Sequence, residues 1–342
     1  MPVSHNPHPF SAALLRWYAV HGRELPWRGS DDPYAIWVSE IILQQTRIEQ
    51  GRDYWFRFMR QFPTVRHLAK AREDEVLRLW QGLGYYSRAR NMLTAARQID
   101  TLGHFPCTYS ELKQLKGVGD YTAAAIASLA FHLPHAVVDG NVYRLLSRHF
   151  GIDTPINSTE GKREFTRLAQ SLLPADHAAD FNQAMMDMGA MVCTPQSPKC
   201  TQCPVAESCE ALRKNLIQRL PVKKTTTTVK TRRFSYIYIR HEGHTAIHRR
   251  PAGDIWQGLW EPLLVEEDSA LPLLGCPLQL LKQGVKHVLT HRIILADFYL
   301  AEPAERPSLP DDYRWIDEND IDRYALPRLV EKLLQALYPA ED

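Results

Sequence analysis

The apolar pattern of this chain changes character once, near Leu220, and that change limits it to two unlike halves. Before it, stretches of ~10–20 residues with helical periodicity alternate with Gly, Pro and polar breaks. After it, "RFSYIYIR" and "VKHVLTHRIILADFYL" are rich in β-branched and aromatic residues, and "LPRLVEKLLQALY" returns to helical spacing. The stretch between, "PVKKTTTTVKTRR", has the low complexity of a linker. A chain of 342 residues also exceeds one ordinary core of ~100–150 residues. The division read here is a helical domain over 1–217, a linker over 218–232 and a smaller mixed α/β domain over 233–342.

Charge narrows the partners. The net charge of +2 is nearly neutral for this length, so affinity for nucleic acid has to come from local patches. One candidate runs from Ala211 to Arg233 with no acidic residue, and it holds Arg213, Lys214, Arg219, Lys223, Lys224, Lys230, Arg232 and Arg233. A solvated linker and a phosphate-binding segment both fit that composition. The first residues, "MPVSHNPHPF", contain no apolar core of a leader, and no run of ~18 apolar residues suggests a membrane span. The expectation is a soluble, cytoplasmic protein with no membrane partner.

Four of the six cysteines fall within "CTPQSPKCTQCPVAESC", residues 193–209, at Cys193, Cys200, Cys203 and Cys209. Pro195, Pro198 and Pro204 keep the intervening loops out of helix. Four thiolates this close in a reducing compartment suit a metal centre better than two disulfides, and the spacing alone is compatible with structural zinc or an iron-sulfur cluster. Cys107 and Cys276 are read as small buried hydrophobes.

Two further stretches carry chemistry. "TYSELKQLKGVGDYTAAAIASLAF" has a capping box, Thr108 with Glu111, that starts a helix at about Tyr109. A second helix follows the break at "KGVG". The glycines at 117 and 119 around Val118 allow a tight turn whose free N–H groups attract an anion, although a helical hairpin without function has the same pattern. "PYAIWVSEIILQQT" sets Glu40 inside an apolar helical stripe, where lost hydration would raise its pKa and keep it a proton donor near neutral pH. In "HAVVDGNVYRLL", Asp139 ends an extended apolar stretch just before a helix, where an N-cap or turn is the ordinary role.

Taken in order, "WVSEIILQQT", "GLGYYSRARN", "LKGVGDYTAAAI", "VVDGNV", "FNQAMMDMGAMVC" and the four-cysteine loop resemble the helix-hairpin-helix, iron-sulfur DNA glycosylases over most of residues 8–215. Within that superfamily the chain is most similar to the adenine DNA glycosylases of the MutY type. The resemblance implies an all-α helix-hairpin-helix domain, with its hairpin at about 109–131 and a [4Fe-4S] cluster on the cysteine loop, followed by a C-terminal α+β Nudix-like domain. It also implies the activity: hydrolysis of the N-glycosidic bond of adenine mispaired with 8-oxoguanine or guanine in duplex DNA, which starts base excision repair. A monomer at the bacterial nucleoid, handing its product to downstream repair proteins, is the matching expectation.

The same resemblance assigns roles. Glu40 matches the acid that protonates adenine, and Asp139 the carboxylate that stabilises the cationic sugar, with Tyr121 and Asn141 orienting the site. Leu25, Trp27, Arg28 and Gln183 match a base pocket, Gln45 and Tyr85 the residues that fill the gap left in the stack, and Gly117, Val118 and Gly119 the phosphate-holding hairpin. In the second domain Thr290 and His291 match the reader of 8-oxoguanine. Relatives usually have Phe-Ser-His where this chain has Leu289, Thr290 and His291, and proline where it has Lys116. The lyases of the superfamily carry lysine at the position of Tyr121, so a monofunctional enzyme using water is expected rather than a lyase or a non-catalytic DNA sensor. The Nudix box of spaced glutamates is absent, which argues against nucleotide hydrolysis by the second domain.

Overall fold

The structure, a computed structural model, describes residues 7–224, 229–267 and 269–338. The threonine run at 225–228, read above as part of the linker, lies outside the described residues. The chain divides into two compact units: residues up to Ala69 together with Thr94 to the linker form one, and Lys70–Leu93 together with the residues after the linker form the other.

The first part of the chain is helical: α1 (Pro9–His21), α2 (Pro33–Leu43), α3 (Ile48–Gln61), α4 (Val65–Lys70), α5 (Glu73–Trp80), α6 (Ser87–Leu102), α7 (Tyr109–Leu112), α8 (Asp120–Phe131), α9 (Gly140–Phe150), α10 (Thr159–Leu172), α11 (Ala178–Met191) and α12 (Glu210–Arg213). Local chemistry sets the boundaries that matter for the site. Asp32 caps α2 by accepting from the Tyr34 amide at 2.9 Å, and Pro33 supplies a pre-set first turn. The expected capping box of Thr108 and Glu111 opens α7, and α8 spans the "DYTAAAIASLAF" segment. The core joins α1, α9, α10 and α11 through Phe10, Leu14, Leu145, Leu146, Phe165, Phe181, Met185 and Met188. Helix α2 is buried on nearly every side, and Trp37, Val38 and Ile42 are fully enclosed. Each such side chain stabilises by roughly 1.5–3 kcal/mol, which holds the helix in place although it also desolvates a glutamate.

The second part is a mixed sheet of β1 (Lys230–His241), β2 (His244–Arg249), β3 (Trp260–Glu261), β4 (Leu263–Glu266), β5 (Gln279–Val288), β6 (Arg292–Ala301) and β7 (Tyr313–Asp317), followed by α13 (Arg328–Leu337). The order is β3-β2-β1-β6-β5, with β4 on β1 and β7 on β2. β1 and β6 run parallel, from Lys230 opposite Arg292 to Ile239 opposite Ala301. Phe234, Tyr236, Ile294 and Phe298 pack one face against Leu329, Val330 and Leu333 of α13. β1 opens at Lys230, inside the stretch read as linker, and "VKHVLTHRIILADFYL" is two strands separated by a turn at Leu289, Thr290 and His291. Cys107 is exposed on the segment between α6 and α7, which corrects its reading as a buried hydrophobe, while Cys276 is half-buried and packs against Ile237, Ile239 and Leu274.

Candidate active site and iron-sulfur loop

A cleft of about 1150 Å³ opens within the first unit, and Leu25, Trp27, Arg28, Glu40, Gln45, Gly117, Gly119, Tyr121, Asp139, Asn141 and Gln183 all line it. Chain positions from 25 to 183 thus meet in one place. Glu40 is 8% exposed, and its Oε2 accepts a 2.7 Å hydrogen bond from the Tyr121 hydroxyl on α8. Burial pushes its carboxyl up to about 7; Tyr121 opposes that rise, the negative charge of Asp139 adds to it, and the positive charge of Arg28 opposes it. The Tyr121 hydroxyl is itself raised well above its ordinary value by burial and by the two carboxyls beside it.

Asp139 fills the ordinary N-cap role and a second one beside it. Its Oδ1 caps α9 by accepting from the Val142 amide at 2.8 Å, and its Oδ2 accepts from Asn141 Nδ2 at 2.8 Å. Burial raises this carboxyl above its ordinary value, and those two hydrogen bonds and Arg144 only partly offset the rise. The two acids therefore sit in different surroundings, one apolar and one lined with donors.

Asn141 is held in turn. Its Oδ1 accepts from Arg144 Nη2 at 2.9 Å, and the buried Arg144 also donates to the carbonyls of Gly189 and Cys193, each at 2.6 Å. Gly189 is required there: a Cβ on it would stand 2.7 Å from Asn141 Cβ and 2.8 Å from its carbonyl oxygen. On the cleft's other side Arg23 and Arg28 converge on Asp187 of α11, and Tyr18 donates to Gln183 Oε1 at 3.1 Å. The reading of the sequence missed Arg144, Gly189, Arg23 and Asp187. Asp187 and Gly189 lie inside the quoted "FNQAMMDMGAMVC", where an acid amid apolar residues was the available signal.

The hairpin takes the expected form, with Gly117 at φ 78°, Val118 buried beneath it and Gly119 as the cap of α8. Gln45 and Tyr85 both adopt left-handed backbone, at φ 62° and 48°, uncommon for residues with side chains and a frequent mark of functional positions. Both are exposed. Within the second unit the Tyr85 and Thr290 hydroxyls share a 2.7 Å hydrogen bond, and Thr290 and His291 are exposed at the tip of the β5–β6 turn.

The four loop cysteines line one small pocket with Leu145, Val192, Val205 and Leu212. None is in a disulfide. Burial pushes the Cys203 thiol up to about 11, so thiolates in this pocket need a cationic centre to balance them. The amide of Val205 points at Cys203 and those of Ala211 and Leu212 at Cys209, while Arg148 Nη1 lies 3.5 Å from Cys193 Sγ. Apolar walls, free thiols and donors aimed at sulfur fit an iron-sulfur cluster. Of the basic stretch after the loop, Arg213 and Lys214 pair with Glu210, and Arg232 pairs with Asp254 and Glu266.

A helical hairpin, a cleft with two carboxyls and a cysteine loop define a class, the base excision DNA repair proteins of the HhH-GPD superfamily, which match residues 38–174. The iron-sulfur binding domain of endonuclease III matches residues 193–209, and a NUDIX domain matches residues 235–336. The adenine DNA glycosylase of Buchnera aphidicola subsp. Acyrthosiphon pisum is 31% identical over 341 residues, covering 95% of this chain and 97% of that one. The adenine DNA glycosylase of Homo sapiens is 46% identical over 213 residues, 59% of this chain and 39% of that one. Among solved structures, a thermostable thymine-DNA glycosylase superposes with a TM-score of 0.56 at 30% identity, over 60% of this chain and 95% of that chain. This chain belongs to the adenine DNA glycosylase family.

Proposed function

We propose that this protein removes adenine mispaired with 8-oxoguanine or guanine in duplex DNA, leaving an abasic site. The observation that carries the reading is the pairing of Glu40, lifted to about 7, with the donor-lined Asp139 in one cleft. Two carboxyls held in unlike environments divide acid and charge-stabilising work between them. Glu40 gives its proton to the adenine ring, the bond from base to sugar breaks with its electron pair leaving on the base, and Asp139 stabilises the cationic sugar. Water then adds to the sugar carbon and releases a proton. Tyr121 offers a hydroxyl in place of an amine, which favours hydrolysis over lyase chemistry. Borohydride trapping should give no covalent adduct.

The base must leave the stack, at a cost of a few kcal/mol, and Gln45 and Tyr85 offset it by filling the gap. Leu25, Trp27, Arg28 and Gln183 receive the adenine, and the amides from Gly117 to Gly119, around Val118, hold a backbone phosphate without reading sequence. Thr290 and His291 inspect the opposite 8-oxoguanine. Cys193, Cys200, Cys203 and Cys209 would hold a [4Fe-4S] cluster, whose bonds to four points of the loop would stiffen it. The protein acts as a monomer wherever its DNA lies, in bacteria the nucleoid. Among the described residues no helix is long and apolar enough to cross a membrane.

Single-turnover base release from duplexes with adenine opposite 8-oxoguanine, guanine or thymine tests this. Release that is fastest opposite 8-oxoguanine is expected, with about four irons and four sulfides per chain. No adenine release by cluster-loaded protein would sink the proposal.

A further inference from the structure

Arg23 and Arg28 border the cleft, and one carboxylate holds both. The Asp187 side chain is fully buried on α11. It accepts from the Arg23 amide at 2.9 Å, from Arg23 Nε at 2.8 Å and from Arg23 Nη2 at 2.5 Å. Arg28 grips the same carboxylate with both prongs, Nη1 to Oδ2 at 2.7 Å and Nη2 to Oδ1 at 2.8 Å, and Nη1 also donates to the Arg23 carbonyl at 3.0 Å. Two guanidinium groups thus share a single buried carboxylate.

Glu40 lines the same cleft. The groups that act on it are the Tyr121 hydroxyl from α8, the Asp139 carboxyl at the start of α9 and the Arg28 guanidinium from the segment between α1 and α2. Arg28 is the cation among them. Glu40 is a carboxyl whose charge already acts on Arg28, so were Arg28 free to turn, a direct ion pair would strip the proton that the chemistry needs.

We infer that Asp187 is a positioning residue for the acid: by clamping Arg28 at two points it prevents an Arg28–Glu40 ion pair and leaves Glu40 able to carry its proton. The inference rests on the reading of Glu40 as the proton donor, yet its test does not need activity. The readout is carboxyl NMR of protein labelled with ¹³C at glutamate, the Glu40 signal being assigned by its loss in Glu40→Gln. In Asp187→Asn the Glu40 titration should fall by about one to three pH units. Adding Arg28→Gln to that variant should return it toward the wild-type position.

Arg28→Lys keeps the charge and the Arg23–Asp187 contacts while losing the two-pronged grip, so it should lower the titration too, even if Asp187→Asn does not fold. An unchanged Glu40 titration in Arg28→Lys, or a lowered one that Arg28→Gln fails to restore, would overturn the inference. Wild-type protein that titrates as described but releases no adenine would instead overturn the proposed function. With both readings right, the high-pH limb of single-turnover excision moves down with the NMR titration.

Discussion

Tyr121 donates a 2.7 Å hydrogen bond to Glu40 from 81 positions away in the chain, and this bond favours the charged form of an acid that burial pushes toward the neutral form. Removing the hydroxyl removes the opposing influence. In Tyr121→Phe the high-pH limb of excision is expected about one unit higher than in wild type, with a lower maximal rate because Glu40 loses its orientation. A pH profile of single-turnover release checks the sign, and a downward shift would contradict the assignment.

Glu40→Gln keeps shape and loses the proton. Excision should fall by at least ~10²–10⁴, the range general-acid catalysis supplies, while duplex affinity measured by titration stays within about twofold.

The same carboxyl makes folding stability depend on pH. Its folded value, about 7, lies above the ordinary 4.5, so between those limits the folded chain holds a proton that the unfolded chain has released. Its contribution to stability is therefore complete below about 4.5 and is lost as pH rises through about 7. At about 1.4 kcal/mol per pH unit the loss reaches about 3 kcal/mol. Denaturant unfolding should show Glu40→Gln flattening this decline and exceeding wild type in stability at pH above about 8.

Arg144 bridges the Cys193 carbonyl and Asn141, and Gly189 leaves room for Asn141 to reach Asp139. Gly189→Ala should force Asn141 aside and lower excision at least about tenfold, while iron content stays near that of wild type. Arg144→Lys, with one ammonium in place of a fork, should lose excision similarly. Iron analysis beside single-turnover kinetics separates a displaced Asp139 from a lost cluster.

Thr290 and His291 lie at the tip of an exposed turn of the second unit. Substituting both with alanine should reduce the preference for 8-oxoguanine over guanine far more than adenine release opposite guanine. Equal losses on the two duplexes would refute a reading role.

The local signals were legible because each depends on near neighbours. Thr108 and Glu111 announce a helix start, four cysteines within seventeen positions announce a centre, and Glu40 in an apolar stripe announces a buried acid. Asp139 was only half legible, since a capping aspartate and a cleft carboxylate look alike until the fold shows one residue doing both. What tertiary structure alone decided is the company each residue keeps. Nothing in the spacing says that Tyr121 meets Glu40, that Arg144 joins the cysteine loop to Asn141, or that Asp187 gathers Arg23 and Arg28 across 164 and 159 positions. Nor does it say that Lys70–Leu93, with Tyr85, clusters with the C-terminal sheet. Helix starts and metal loops are set by interactions within a few residues, so the sequence by itself determines them. A proton held at neutral pH depends on which charges and donors face it across the cleft, and only the packing of distant helices decides that.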